Sequence, residues 1–442
     1  ASIGEARIVI GTRLAVFASL PKLGMIIVDE EHDLSFKQQD GLRYNARDLA
    51  IVRAKNANIP LILGSATPSL ESLNHSLNER YTHLRLRERA GGAKPPAYQV
   101  VDMRGQETSA GLSQFALEAI GQTLGRGEQA LVFLNRRGFA PSLICQSCGW
   151  SAACHACDAR MTLHNSPYKL HCHHCGSENY PPKHCPGCFA PQLTALGQGT
   201  ERAEETLAQA FSNYPVLRVD QDSMQRKSAM AELNSTVNSG KPCLLVGTQM
   251  LAKGHHFPKV TLVVIMDADQ GLLSGDFRGI ERMGQLVTQV AGRAGREEAA
   301  GTVLIQSFRP DHPMLQCLIH QGYGPFASAL LQERQQAKMP PFNAMALVRA
   351  ECKRPENAKA LLTKAAQIAR GLCPPSPHAS YIGPIPAFLE RRNERFRYQL
   401  QMVFSHRQER GRVLNELATA LEALPLAKRV RWSIDVDPQD MS

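Results

Sequence analysis

Eight of the chain's 12 cysteines fall between positions 145 and 188 as four C-x2-C pairs: Cys145/Cys148, Cys154/Cys157, Cys172/Cys175 and Cys185/Cys188. Two residues between thiolates let a tight turn aim both sulfurs at one ion. Two such turns complete a four-thiolate tetrahedron for Zn2+. A redox centre needs only one such motif. A disulfide framework belongs to exported chains, and residues 1–10 carry no apolar stretch of signal length. Spacing suggests the partners: 14 residues part Cys157 from Cys172, as in a zinc ribbon, but only five part Cys148 from Cys154. The expected arrangement is therefore nested. Cys154, Cys157, Cys172 and Cys175 hold an inner ion, and Cys145, Cys148, Cys185 and Cys188 hold an outer one. Gly149, Gly176 and Gly187 are expected to supply the relaxed turn angles. His155, His164, His171, His173, His174 and His184 lie in the same window, as surface or supporting groups rather than ligands. Neither set keeps the open position of a catalytic zinc, so the metal is structural or recognitional.

A second chemistry surrounds this module. Asp29-Glu30-Glu31-His32 follows an apolar run at 24–28. At the end of a strand, one carboxylate can orient hydrated Mg2+ and the next a water that attacks a phosphoryl group. Gly64-Ser65-Ala66-Thr67-Pro68 follows the apolar run 60–63, and Gly247-Thr248-Gln249 with Lys253-Gly254 follows 243–246. In Gln289-Val290-Ala291-Gly292-Arg293-Ala294-Gly295-Arg296, two guanidiniums stand three apart, expected on one side of a helix turn and suited to clamping a γ-phosphate.

DEEH at 29–32, GSATPS at 64–69, GTQMLAKG at 247–254 and QVAGRAGR at 289–296 resemble motifs II, III, V and VI of superfamily 2 helicases, in order. An eight-cysteine insert after the motif-IV-like ALVFLNRRG at 130–138 narrows the resemblance to the bacterial primosomal replication-restart helicases, over essentially the whole chain. The resemblance implies that Asp29 partners Mg2+ and Glu30 orients the attacking water. It makes His32 and Gln289 γ-phosphate sensors and Arg293 with Arg296 the arginine clamp. Ser65, Thr67 and Gly254 would couple ATP to DNA, with Thr248 and Arg13 on the DNA side. Phe36, Arg43, Tyr44 and Arg47 resemble the family's aromatic-rich, DNA-coupled loop. His256 departs from the acid many relatives carry there.

The implied activity is ATP-dependent 3′→5′ DNA unwinding at abandoned forks and D-loops, leading to primosome assembly. The implied partners are branched and single-stranded DNA, single-stranded DNA-binding protein, other primosome proteins and the loader of the replicative helicase. The expected protein is a monomer in the bacterial cytoplasm, associated with the nucleoid and not with a membrane. The alternative is a zinc-dependent DNA-structure-binding scaffold with a dispensable ATPase. One element is missing: the sole Gly-Lys, Gly240-Lys241, is followed by Pro242, so there is no Walker A loop to cradle phosphates. The chain is expected to open inside the first lobe and, alone, to be ATPase-inactive.

These groups need elements to hold them. Alternating strand-like and helical stretches on both sides of the insert predict an α/β protein, with residues 7–10 and 24–28 as buried strands; the resemblance implies that it forms two RecA-like lobes, the first incomplete. The expected division is 1–95 for lobe one, 96–144 with 190–338 for lobe two, 145–189 for the zinc module and 339–442 for a last domain. Linkers at 91–96 and 339–341 mark the joints. The last domain reads strand 344–352, helix 356–372, strands 379–382 and 397–404, helix 406–424 and strand 429–436, a ferredoxin-like α+β order.

The 442 residues fit two to four domains at roughly 100–200 each, and 43% hydrophobic with 20% charged residues excludes bulk disorder. No apolar run approaches the ~18 residues of a membrane span. Eight thiolates and two dications lower the formal charge of +10 to +6. Residues 340–442 hold 16 Lys+Arg against 10 Asp+Glu. There, Arg391, Arg392, Arg395 and Arg397 alternate with Phe396 and Tyr398, a pattern that holds phosphates and stacks on unpaired bases.

Overall fold

A computed structural model of the chain describes residues 5–86, 95–134, 142–156, 160–165, 168–172, 175–191, 193, 194–195, 203–219, 229–248, 251, 257, 259–295 and 301–441. Ala1–His83 and Leu331–Met441 form one compact unit, and Leu84–Leu330 forms another. Among the described residues, no helix is long and apolar enough to cross a membrane.

The second unit is built on a six-stranded sheet in the order Val216–Val219, Leu244–Gly247, Gln129–Leu134, Val260–Met266, Thr302–Ser307, Ala97–Asp102, with every neighbouring pair parallel. Continuous apolar runs such as LLVG and VTLVVIM become central strands because a parallel sheet is covered on both faces. Leu112, Ile120 and Leu124 pack against Ala130, Val132 and Val264 to close one face. Ser113 starts the helix Gln114–Gly125 by accepting from the Ala116 amide at 3.2 Å.

The cysteine module interrupts this lobe after Gln129–Leu134. Thr162–Asn165, Tyr168–His171 and Glu178–Asn179 form an antiparallel sheet, and Leu143–Ile144 pairs with Thr194–Ala195 at its base. Leu143, Ala152, Met161, Leu163, Leu170 and Cys172 make a core of its own. So few apolar side chains hold a module only with additional cross-links.

In the first unit, Ile26–Val28 and Leu61–Leu63 pair in parallel on either side of the helix Ala46–Ala57. Asn45 caps that helix at its start, and Asn58, at φ 51°, ends it in the left-handed region. Two strand expectations need correction. Residues 7–10 form no strand, because nothing among the described residues pairs with them, and Ile10 is 94% exposed. Of the run at 24–28 only Ile26–Val28 forms a strand, in which Val28 is buried while Ile27 is 65% exposed.

The last domain follows β-α-β-β-α-β order. Its sheet runs Ala379–Arg392, Arg395–Phe404, Ala344–Cys352, Arg431–Val436, antiparallel throughout, which is the ferredoxin-like arrangement. The helices Pro355–Leu372 and Arg407–Glu422 set Leu361, Leu362, Val413 and Leu417 against Val348, Leu400 and Phe404. The opposite face is polar: buried Gln399, Gln401 and Asp435 share it with half-buried Arg349 by strand alternation and register.

Candidate metal centres and nucleotide site

The Sγ atoms of Cys145, Cys148, Cys185 and Cys188 all lie within 4.8 Å of one another, as do those of Cys154, Cys172 and Cys175. Cys157 lies outside the described residues. Cys145 approaches Cys188 at 3.6 Å, Cys148 approaches Cys185 at 3.6 Å and Cys154 approaches Cys175 at 3.5 Å. The knuckles share a local logic: the amide of the residue after the second cysteine returns to the first cysteine's carbonyl. Gly149 donates to Cys145, Gly176 to Cys172 and Phe189 to Cys185, at 2.8, 2.8 and 2.9 Å. That position needs positive φ, met at 75° by Gly149 and 82° by Gly176. In the last knuckle the strained residue is Phe189, at φ 59°, not Gly187 as the sequence suggested. Gly187 instead donates its amide to the Cys185 sulfur at 3.3 Å.

The donor set of clustered thiols suits zinc, although the thiols do not shift alike: burial raises Cys148 to about 12. Burial opposes ionisation of Cys145, yet the amides of Cys148 and Ser147 and the thiols of Cys185 and Cys188 bring it down to about 7. Burial likewise opposes Cys175, but the Ser177 hydroxyl and amide, then Cys154 and Cys172, lower it to about 6. Amides aimed at sulfur stabilise thiolate, the ligand form. His164 and His171 are buried edge to face at 5.9 Å beneath the ribbon, and burial lowers both to about 4. They are neutral core groups.

The acidic motif stands where Ile26–Val28 ends. Gly64 donates to the Val28 carbonyl at 2.8 Å, and Glu31 donates back to the Gly64 carbonyl at 3.1 Å. A Cβ on Gly64 would stand 3.3 Å from Asp29 Oδ1, so glycine keeps that carboxylate accessible. Glu30 has φ 49°, a strained angle of the kind found at functional sites. His32 joins the two motifs: its Nδ1 lies 2.7 Å from Ser65 Oγ and 3.6 Å from Glu30 Oε2, and its Nε2 lies 3.5 Å from Thr67 Oγ1. Asp29, Glu30, His32, Ser65 and Thr67 thus come together, across 39 positions of sequence.

Glu31 carries the architecture, and the sequence reading passed over it. Buried at 2% exposure, it accepts from the Ser69 amide at 2.7 Å, Ser69 Oγ at 3.0 Å, Ser72 Oγ at 2.8 Å and Arg47 Nη1 at 3.1 Å. The cluster fixes the start of the helix Leu70–Leu77. It also corrects the expectation for Arg47. That guanidinium is 5% exposed and spent on Glu31, Asp48 and Ser69, so it offers no surface to DNA. Arg13 likewise directs Nη1 to the carbonyls of Ser35 and Lys37, both at 3.1 Å, and braces the loop that carries Phe36. Tyr44 meets Phe17 edge to face at 5.0 Å, and Arg43 lies 3.9 Å from Asp435.

In the second unit Gln289 lies in the last turn of the helix Gly279–Ala291, and Arg293 follows it, 8% exposed. The helix stops at Gly292, and Gly295 turns at φ 66° to donate to the Val260 carbonyl at 3.0 Å. Arg293 therefore sits past the helix end rather than on a continuing helical face. Arg296 and Gly254 lie outside the described residues. Thr248 follows the strand Leu244–Gly247, and its amide reaches the Val219 carbonyl at 3.3 Å. Asp267 and Asp269, which follow Val260–Met266, were not among the expected site residues. Asp269 accepts from Ser307 Oγ at 2.7 Å and the Phe308 amide at 2.6 Å. Burial raises both acids, Asp267 to about 7 and Asp269 to about 6. Only the D-x-D spacing at a strand end could have signalled them.

Arg391 and Arg392 pair across a hairpin with Phe396 and Arg395, around Asn393 and Glu394 at φ 50° and 60°. The Arg391 guanidinium lies over the Phe396 ring at 5.4 Å. Arg397 is withdrawn beside Glu351 at 4.0 Å.

A parallel lobe interrupted by a cysteine ribbon and followed by a ferredoxin-like domain defines the class: the C-terminal RecA-like part of a helicase. Residues 191–298 match the helicase conserved C-terminal domain, 154–179 the PriA DNA helicase Cys-rich region domain and 335–439 the primosomal protein N C-terminal domain. Over 99% of its length the chain is 44% identical to replication restart protein PriA of Haemophilus influenzae and 37% identical to that of Bacillus subtilis. It spans 60% and 54% of those proteins. The chain belongs to the replication restart protein PriA family, and its cysteine module is a zinc-binding region.

Proposed function

We propose that this chain is the larger part of an ATP-dependent 3′→5′ DNA helicase that recognises stalled or abandoned forks and D-loops and starts primosome assembly. The observation that carries the reading is the joined Asp29, Glu30, His32, Ser65 and Thr67 cluster. Asp29 would hold the Mg2+ of bound ATP, and Glu30 would orient the attacking water. His32, bonded to Ser65, would report phosphate occupancy to the segment running into the helix Leu70–Leu77. Gln289 and Arg293, with Arg296, would complete the γ-phosphate contacts. ATP binding also needs a Gly-rich phosphate loop that these 442 residues do not supply, so the chain alone is expected not to turn ATP over.

Two zinc ions, one in each nested cysteine set, would shape the ribbon for strand separation and partner proteins. The hairpin Arg391, Arg392 and Arg395, with Thr248 and the loop around Phe36 and Tyr44, would hold branched and single-stranded DNA. A cavity of about 280 Å3 lined by Asn74, His75, Arg80, Ser405 and Arg407 suits an acidic peptide, and we assign it to the tail of single-stranded DNA-binding protein. The helicase loader, other primosome proteins and a place on the bacterial nucleoid belong to the same reading.

The test is strand displacement by the full-length protein on partial duplexes carrying a 3′ or a 5′ single-stranded tail. Displacement that requires ATP and the polarity-specific tail is expected. ATP-independent fork binding with no displacement on either substrate would instead favour a scaffold.

A further inference from the structure

Asp435 lies on the polar face of the C-terminal sheet, 2% exposed on its side chain, and faces more positive charge than it can neutralise. Lys37 Nζ is 3.0 Å from its Oδ1, while Arg349 Nη2 and Arg43 Nη1 are 3.4 and 3.9 Å from its Oδ2. Lys37 is equally buried and also donates to the next backbone carbonyl, that of Val436, at 2.6 Å. At the rim, Arg431 approaches Asp40 at 3.6 Å. Lys37, Asp40 and Arg43 come from a single loop, closed by a bridge between Lys37 and Asn45 and by a 2.8 Å bond from the Gln38 amide to the Tyr44 carbonyl. The C-terminal domain therefore grips both arms of that loop through one carboxylate.

The grip extends to the acidic motif without a flexible joint. Asp33 donates to the Glu30 carbonyl at 2.8 Å, the Ser35 amide donates to Asp33 Oδ1 at 2.8 Å, and Lys37 donates to the Leu34 carbonyl at 3.1 Å. Arg13 ties down the carbonyls of Ser35 and Lys37 from the other side. Six residues of hydrogen-bonded turn thus connect Lys37 to Glu30.

We propose that Asp435 is a positioning residue: a latch that holds the loop 37–45, and through it the segment bearing Glu30, in a restrained state until nucleic-acid phosphates replace it as the partner of Arg43, the most exposed of the three cations. Three cations around one carboxylate leave a site that a polyanion can compete for. The contact is built to open. An interface of ion pairs is more readily separated than an apolar one, and Gln399, wholly buried on the same sheet face, leaves both amide atoms without a hydrogen bond.

This inference rests on the ATPase reading above, so the test has an arm that does not need turnover. In the full-length protein, Asp435→Asn should raise ATP turnover without DNA by about fivefold or more, the lower end of ordinary coupling between sites. Turnover at saturating single-stranded DNA should stay within about twofold of wild type. Asp435→Glu should behave as wild type, and Lys37→Met, which opens the latch from the other side, should behave as Asp435→Asn. Amide hydrogen exchange supplies the second arm. Residues 34–45 should exchange faster in Asp435→Asn without DNA, and adding DNA should move wild type the same way. Unchanged exchange together with unchanged DNA-free turnover overturns the latch, and so does an equal loss of both turnover arms, the mark of a merely structural contact. A wild-type protein without ATPase would strike the helicase reading, while the exchange experiment would still decide the latch.

Discussion

The outer cysteine set and Glu31 face one problem, fixing a loop-built site in place, and meet it with opposite chemistry. Four sulfurs from two distant knuckles converge on a point, where a bound metal ion would supply the energy that a small core cannot. Glu31 instead gathers four donors around a buried carboxylate and needs no ion. The first device fails all at once when a ligand is removed. The second degrades by degrees, because each lost bond leaves others. Metal-built regions announce themselves by residue type and spacing, whereas hydrogen-bonded hubs are visible only once the chain has folded.

The largest effect is expected at the outer cysteine set. Replacing Cys145 and Cys188 together with Ser should lower bound zinc from two ions per chain to one, measured by metal analysis of the purified protein. The ribbon should then become protease-sensitive, since binding free energy in such sites is folding free energy. Retention of both ions would separate these sulfurs from the outer site.

Next in size is Glu31→Gln, which leaves Arg47 charged and buried, still beside the half-exposed Asp48 but without its buried carboxylate partner. Breaking one side of such a pair costs about 3–5 kcal/mol. Denaturant unfolding should show that loss, and the double variant Glu31→Gln/Arg47→Met should lose less than the two single variants together. Strict additivity would mean the two side chains do not depend on each other.

The smallest effect concerns Asp267. Burial, and then the neighbouring Asp269, raise it to about 7 from an ordinary 3.8. A raised acid binds its proton more tightly folded than unfolded. Its contribution is therefore complete below about pH 4 and is lost as pH rises towards 7. Relative to wild type, Asp267→Asn should gain thermal stability steadily across that window. A constant difference between the two melting temperatures from pH 4 to 7 would contradict the assignment.

How much of this was legible follows the same division. The cysteine pairs, the apolar runs that became parallel strands and the β-α-β-β-α-β order could be read because period and spacing encode them directly. Arg47 was misplaced because a guanidinium next to aromatic residues looks the same whether it meets a phosphate or a buried carboxylate. Residues 7–10 resembled a strand, but a strand needs a neighbour, and pairing is a property of the fold. Phe189 took the strained position expected of a glycine because the knuckle imposes its angle on whatever residue follows Cys188. The Asp435 contact joins positions about 400 apart in sequence, and no local pattern carries it.

Glu30 is proposed to act on the water that attacks ATP. The direct measurement is steady-state ATP turnover of the full-length Glu30→Gln protein at saturating single-stranded DNA, beside its affinity for a forked duplex. Loss of a water-orienting carboxylate should cut turnover by about 10²–10⁴-fold while leaving fork affinity within a few-fold of wild type. Turnover close to wild type would contradict the assignment of the acidic motif as the hydrolytic centre.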